Sequence, residues 1–437
     1  MSVTAFPGTP DLLSLHAADP RRYPFLLQSS GNEQGWDILF AFPQHTVSRF
    51  LGGADATFFE VLDRSWHEHA AATDDERAAG LPFHGGWFVY LGYELLHELE
   101  PTVPQAQGES RFPLAWLTRI PAAVLVDRAR RETWLFAEPG YEECLAAMRD
   151  DLEHAPAASF LGVGVEALAE EDERIFLDGV ARIKDYIRAG DVFQVNLARR
   201  WQGRLASSGA AAELYAALRS RNPAPFSGIA DFGDRQIVSS SPERLVRVRS
   251  GLIETRPIAG THPRSSSPQE DERLRRALIE SAKERAEHIM LIDLERNDLG
   301  RICVPGSVEV DELMAVCSYA HVHHIESGVC GRLRAGITPG QALSALFPGG
   351  TITGCPKVRT MQIIRELEQS PRLAYTGSMG YLNRDGGMDL NILIRTFMLE
   401  GDMLSFKAGA GIVADSDPAR ELAETRAKAK GLLKTLG

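Results

Sequence analysis

Glu284 and Glu287, and again Glu421 and Glu424, stand three residues apart in stretches with helical periodicity, so each pair shares a helix face, and Lys428 follows on the second. Four clustered carboxylates without a Cys or His companion suit Mg2+, which keeps waters and takes one or two carboxylates plus anionic substrate groups. The same spacing describes an ordinary solvated helix face, and it does not show that the two helices meet. Another carboxyl, Glu243, follows Pro242 at the mouth of a strand in SSSPERLVRVRSGLIETRPIAGTHPR (239–264). Ser250-Gly251 there is a two-residue hairpin signal, and Gly260 lets backbone come close to whatever lies beside it. The alternative is a plain surface hairpin.

Two further stretches have chemical potential. Gly409-Ala410-Gly411-Ile412-Val413-Ala414 matches GxGxxA after a strand. The strands before it are joined by tight hairpins, so no βαβ unit surrounds it and a dinucleotide fold is a poor fit. As a glycine loop its backbone N–H groups could hold a carboxylate, helped by Arg395 and Lys428. Gly349-Gly350 with Lys357 lacks the Walker spacing. His321, His323 and His324 alternate across a strand, and metal, proton-handling and structural roles all remain open for them.

These residues need elements to place them. Phe176, Val180, Ile183 and Ile187 mark an amphipathic helix that Gly190 closes, and a strand over 192–201 follows with Phe193, Val195 and Leu197 on one side. Gln194 and Asn196 then point together to the other side, into either the core or a polar site. A long helix is expected over 268–293. Strands are expected over 114–125, 374–382, 388–399 and 403–407, and a last helix begins with Ser416 or Asp417 as cap and Pro418 in its first turn. The Ala, Gly and Glu mixture over 153–172 is the candidate boundary between an N-terminal region, 1–155, and a region over 170–437.

A formal net charge of −12 without a basic stretch argues against nucleic acid. Five scattered cysteines without a CxxC fit a reducing compartment, not a disulfide framework or a zinc site. No signal-peptide pattern and no membrane-length apolar run are present, so the expectation is a cytoplasmic protein.

AGDVFQVNLARR (189–200), SPERL (241–245), TRPIAGTHPR (255–264), EHIMLIDLERNDLGR (287–301), PGGTITGCPKVR (348–359), AYTGSMGY (374–381), MDLNILIRT (388–396), KAGAGIVADSDP (407–418) and ELAETRAKA (421–429) together resemble the chorismate-utilising enzymes. This family includes anthranilate synthase component I, aminodeoxychorismate synthase component I, and isochorismate and salicylate synthases. PFLLQSS near the N-terminus looks like the family's regulatory-domain opening. The resemblance implies an α/β (α+β) fold of the anthranilate synthase component I type: two packed antiparallel sheets with outer helices and an active site between them. It implies that Glu287 and Glu424 bind Mg2+, with Glu284 and Glu421 beside them, and that the metal holds chorismate's ring carboxylate. Tyr375, Arg395, Gly409, Gly411 and Lys428 match positions that grip the substrate carboxylates. Thr261 and His324 match positions beside the ring and the enolpyruvyl group, and Glu243 matches the general acid for the departing 4-hydroxyl.

Two positions sort the family's members. Gln194 stands where isochorismate and salicylate synthases have a lysine that activates water, which favours ammonia as nucleophile. Ala259 stands where many aminodeoxychorismate synthases have a nucleophilic lysine and anthranilate synthases have alanine. GDVFQVNL, GGTITGCPKVR and MDLNILIRT, with the short chain, look closer to aminodeoxychorismate synthases, some of which lack the lysine. The sequence reading is therefore an aminodeoxychorismate synthase component I, with anthranilate synthase component I as the alternative. A silent chorismate- or tryptophan-binding sensor ranks behind both, because Glu243, Glu287 and Glu424 are all present. No glutaminase signature is found, so ammonia is expected from a separate glutamine amidotransferase subunit.

Overall fold

The structure is a computed structural model, and it describes residues 1–31, 34–51, 56–71, 80–105, 110–156, 160, 163–207, 209–318 and 322–436. Their strands form two antiparallel sheets, of twelve and ten strands. The larger ends in the order Phe226–Asp231, Arg235–Ser241, Thr396–Glu400, Met403–Ile412, Gln194–Leu205, Gly354–Cys355. The smaller begins Ile258–Pro263, Val322–Arg332, Leu252–Arg256, Arg244–Arg249, Met388–Asn391, Ser378–Asn383. Strands from residues before 155, among them Phe25–Gln28 and Gly86–Leu91, lie in the same two sheets.

The sheets pack through an aromatic layer. Phe25 of the larger sheet stacks on Phe88 of the smaller with ring centroids 3.8 Å apart, and Phe40 meets Phe88 edge-on. Helices Leu12–Ala18, Glu143–Glu153, Ala211–Arg221 and Pro418–Thr435 cover the outer face of the larger sheet. Among the described residues no helix is long and apolar enough to cross a membrane.

Three expected elements are divided, each for a local reason. The 114–125 strand is two, Ala115–Ile120 and Ala122–Asp127, in different sheets. Pro121 between them has no N–H to continue a ladder. The 388–399 strand likewise splits into Met388–Asn391 and Thr396–Glu400, and the chain passes from one sheet to the other between them. Arg395 takes up that turn with a left-handed φ of 52°. The 268–293 helix is Pro268–Glu280 followed by Ala282–Gly300. Ser281 adopts an extended ψ of 110° and its hydroxyl accepts the Glu284 N–H, which starts the second helix. The hairpin at Ser250-Gly251 is as expected, with φ of 51° and 76° in the turn.

Candidate active site

Between the sheets lies a cavity of about 770 Å³, open to solvent, whose wall includes Asn196, Glu243, His324, Tyr375, Arg395, Lys407, Gly409 and Lys428. Its first side is built by the adjacent strands Gln194–Leu205 and Met403–Ile412, in register Asn196↔Gly411 and Ala198↔Gly409. Gly409 and Gly411 are therefore strand residues, not the loop expected from their spacing. Their use is room. A Cβ on Gly409 would stand 2.6 Å from Asn196 Oδ1 and 2.9 Å from the Tyr375 hydroxyl, and one on Gly411 would collide with Gln194 Nε2. Lys428 reaches from the terminal helix to donate to the Gly409 carbonyl at 3.0 Å.

The two amides of the first strand, alike in sequence, part company. Asn196 lines the cavity, whereas Gln194 is buried against Gly411 and is not among the lining residues. Among the described residues, both Asn196 Oδ1 and Gln194 Oε1 are buried without a hydrogen-bond partner. Val195 and Leu197 face the core as expected, but Phe193, before the strand begins, is 68% exposed.

Glu243 sits at the corner where the hairpin meets the sheet-to-sheet passage. Its carbonyl accepts the Ile392 N–H at 3.0 Å, and the Ser241 hydroxyl donates to the Ile392 carbonyl. Glu243 is only 4% exposed, and among the described residues its Oε1 has no hydrogen-bond partner. Burial pushes its pKa up to about 7, against the pull of the neighbouring Thr351 hydroxyl, and the charges of Glu295 and Glu326 add to the rise. Near neutral pH a large share of this carboxyl therefore still carries the proton a general acid must donate.

Glu295, which the sequence reading passed over, is a second buried carboxyl beside this corner. Burial raises it to about 7 as well, with Lys357 opposing and Asp298 adding to the rise. The available signal was its place at i+11 from Glu284 on one helix, which puts a charge on the packed face. Thr351 and Lys407 were also missed as site residues, although both lie within stretches that the sequence marked.

On the second side, His324 lies in the Val322–Arg332 strand and its Nδ1 is 3.2 Å from the Gly260 carbonyl, which fixes the proton on Nδ1. Burial, then Arg395, lowers its pKa to about 4, so the imidazole is neutral at physiological pH. His323 points elsewhere, to Ser318 and Asp271 at 2.7 and 3.1 Å, and is structural. His321 and the side chain of Thr261 lie outside the described residues, although the Thr261 backbone pairs with His324. Gly260 has φ of 65°, and a Cβ there would meet Glu284 Oε2 at 3.0 Å.

The two carboxylate pairs come from different sides of the cavity. The Ala282–Gly300 helix, with Glu284 and Glu287, packs on Ile258–Pro263 and Val322–Arg332; the Pro418–Thr435 helix, with Glu421 and Glu424, packs on Met403–Ile412. Glu421 is buried, while Glu424 is half exposed and pairs with Lys428 at 2.7 Å. Among the described residues no group of three or more His, Cys, Asp and Glu side chains is placed to hold a metal ion. The all-oxygen donor set still fits a Mg2+ ion that takes one or two carboxylates and completes its shell with water and substrate.

Comparisons with known proteins agree with one another. The family described as chorismate binding enzyme matches residues 23–434. An anthranilate synthase component I-like protein of Synechocystis is 42% identical over 361 residues, 82% of this chain and 73% of that protein. Anthranilate synthase component 1 of Thermus thermophilus is 40% identical over 443 residues, 98% of this chain and 95% of that one. The crystal structure of anthranilate synthase component I from Streptococcus pneumoniae superposes with a TM-score of 0.82 at 32% identity, covering 91% of this chain and 92% of that chain.

Proposed function

This chain belongs to the chorismate binding enzyme family, and from that premise we propose that it is an anthranilate synthase component I. The sequence reading put aminodeoxychorismate synthase first. Near full-length likeness to relatives named anthranilate synthase component 1 favours the alternative, and Ala259 agrees with it by leaving no lysine to form a covalent intermediate.

The observation that carries the reading is the buried Glu243 carboxyl, its pKa raised to about 7, on the wall of a cavity also lined by Arg395, Lys407 and Lys428. Three cations suit a dicarboxylate, and the acid stands where a hydroxyl must leave. Arg395, Lys428 and Tyr375 hold chorismate. Glu243 gives its proton to the 4-hydroxyl, which departs as water while the lone pair of ammonia forms the new bond at carbon 2. Loss of the carbon 2 proton and of the enolpyruvyl group as pyruvate then leaves anthranilate; His324, neutral and oriented by Gly260, is the candidate base. Glu287 and Glu424, with Glu284 and Glu421 beside them, would hold Mg2+, which when bound neutralises the substrate's ring carboxylate. A glutamine amidotransferase subunit would supply the ammonia.

The test is product identification from chorismate, MgCl2 and ammonium at alkaline pH. Anthranilate is expected without any lyase, and chelation with EDTA should stop its formation. If 4-aminobenzoate forms only after a pyridoxal-phosphate lyase is added, the product assignment moves to 4-amino-4-deoxychorismate. Unchanged chorismate would overturn the enzyme itself.

A further inference from the structure

Lys407 is a lysine only 3% exposed that nevertheless lines the substrate cavity. It lies on the Met403–Ile412 strand two residues before Gly409, hence on the same face as the glycines that make room there. Its Nζ donates to the Ser370 carbonyl at 2.9 Å and to Glu368 Oε2 at 3.3 Å. Both partners only accept, and the charge of Glu368 favours the ammonium form against burial and Arg372. An ammonium has three N–H groups, and among the described residues the third has no protein acceptor.

Behind Lys407 the charges are matched. The Arg372 guanidinium clamps Glu368, with Nη2 to Oε1 at 2.6 Å and Nε to both oxygens at 3.1 Å. Its other N–H groups go to the carbonyls of Asn196 at 2.7 Å and Ile352 at 2.9 Å. Glu94 holds the Arg372 and Leu373 backbone N–H groups at 2.6 and 2.9 Å. Burial would raise the Glu368 carboxyl, but Arg372 and then Lys407 hold it below its usual range, while burial lowers Lys407 against the pull of Glu368. A purely structural ion pair needs none of its members at a cavity wall. Lys407 is at one, with a donor left over, and Asn196 Oδ1, without a hydrogen-bond partner among the described residues, belongs to the same wall.

We propose that Lys407 is a substrate-positioning cation of the cavity, its third N–H donating to a carboxylate of the bound substrate and its place fixed by Glu368 and Ser370. The proposal rests on the chorismate reading and adds a contact to it. It is tested with Lys407→Met in the full chain, by steady-state kinetics on chorismate and by equilibrium binding of chorismate without ammonia. The loss of one charge-assisted hydrogen bond made equally to ground and transition states should weaken KM and Kd about 10- to 100-fold with kcat within about threefold. Lys407→Arg should recover most of the affinity. A folded Lys407→Met protein that binds chorismate as the parent does would overturn the proposal, as would a fall in kcat alone. If that variant does not fold, the 15N resonance of the Lys407 ammonium in the parent protein decides: it should shift on saturation with chorismate, and an unmoved resonance refutes the contact. A parent protein that neither binds nor consumes chorismate would instead refute the proposed function.

Discussion

Glu243 and Glu368 are both buried, at 4% and 7% exposure, Glu243 on the cavity wall and Glu368 behind it against the wall residue Lys407, yet they have opposite acid–base characters. Glu368 meets Arg372 and Lys407, and its carboxyl stays ionised. At Glu243 burial dominates, the charges of Glu295 and Glu326 add to the rise, and the pKa reaches about 7. Burial alone therefore assigns no role to a carboxylate in this protein. What lies within a few ångströms decides whether it is a fixed anion that organises a wall or a neutral acid that can give up a proton.

The largest effect expected from breaking this contrast is on turnover. Glu243→Gln keeps the shape and removes the proton, so kcat should fall by about 10²- to 10⁴-fold with chorismate binding retained. Full-rate turnover in that variant would remove the acid from the account. On stability the two carboxyls should respond with opposite signs. Glu368→Gln leaves Arg372 and Lys407 buried without their anion and should cost about 3–5 kcal/mol in urea unfolding. Glu243 has its folded pKa raised from 4.5 to about 7, so its contribution is full below the unfolded value and is lost as pH rises through about 7. Replacing it with Gln should therefore stabilise the chain at pH 8, by a few kcal/mol at most, and leave it little changed at pH 4. Loss of stability at pH 8 would show that Glu243 is paired after all.

The smallest effect expected is a shift in a pH profile. With free NH3 held constant, kcat/KM should decline as pH passes about 7, because the proton on Glu243 is lost. The negative charge of Glu295 helps keep that proton in place. Glu295→Gln should move the limb to lower pH by a fraction of a unit, and a limb that stays put or moves up would uncouple the two.

Much of the site could be read from the sequence. The Ser250-Gly251 turn and the Pro418 helix start depend on local backbone chemistry, and each stands where its residue types put it. Glu243 was conspicuous because it follows a proline at a strand mouth. The sheet-to-sheet passages could not be read, since 388–399 has unbroken strand character and Arg395 carries no turn signature. Lys407 and Glu295 were hidden for a related reason. A charged residue in a strand or helix looks solvated until tertiary packing buries it, and only then does its partner, or its lack of one, have meaning. Asn196 and Gln194 show the same limit, because equal spacing could not tell which amide meets the cavity.

The central claim is that Glu243 keeps its proton until pH approaches about 7, whereas Glu368 is ionised well below that. Infrared difference spectra across a pH titration, parent protein minus Glu243→Gln, measure it directly through the carboxylic acid C=O band. The band assigned to Glu243 should be present at pH 6 and lost as pH rises past about 7, whereas no such band should be removed by Glu368→Gln. A Glu243 carboxyl already fully ionised at pH 5 would contradict the account.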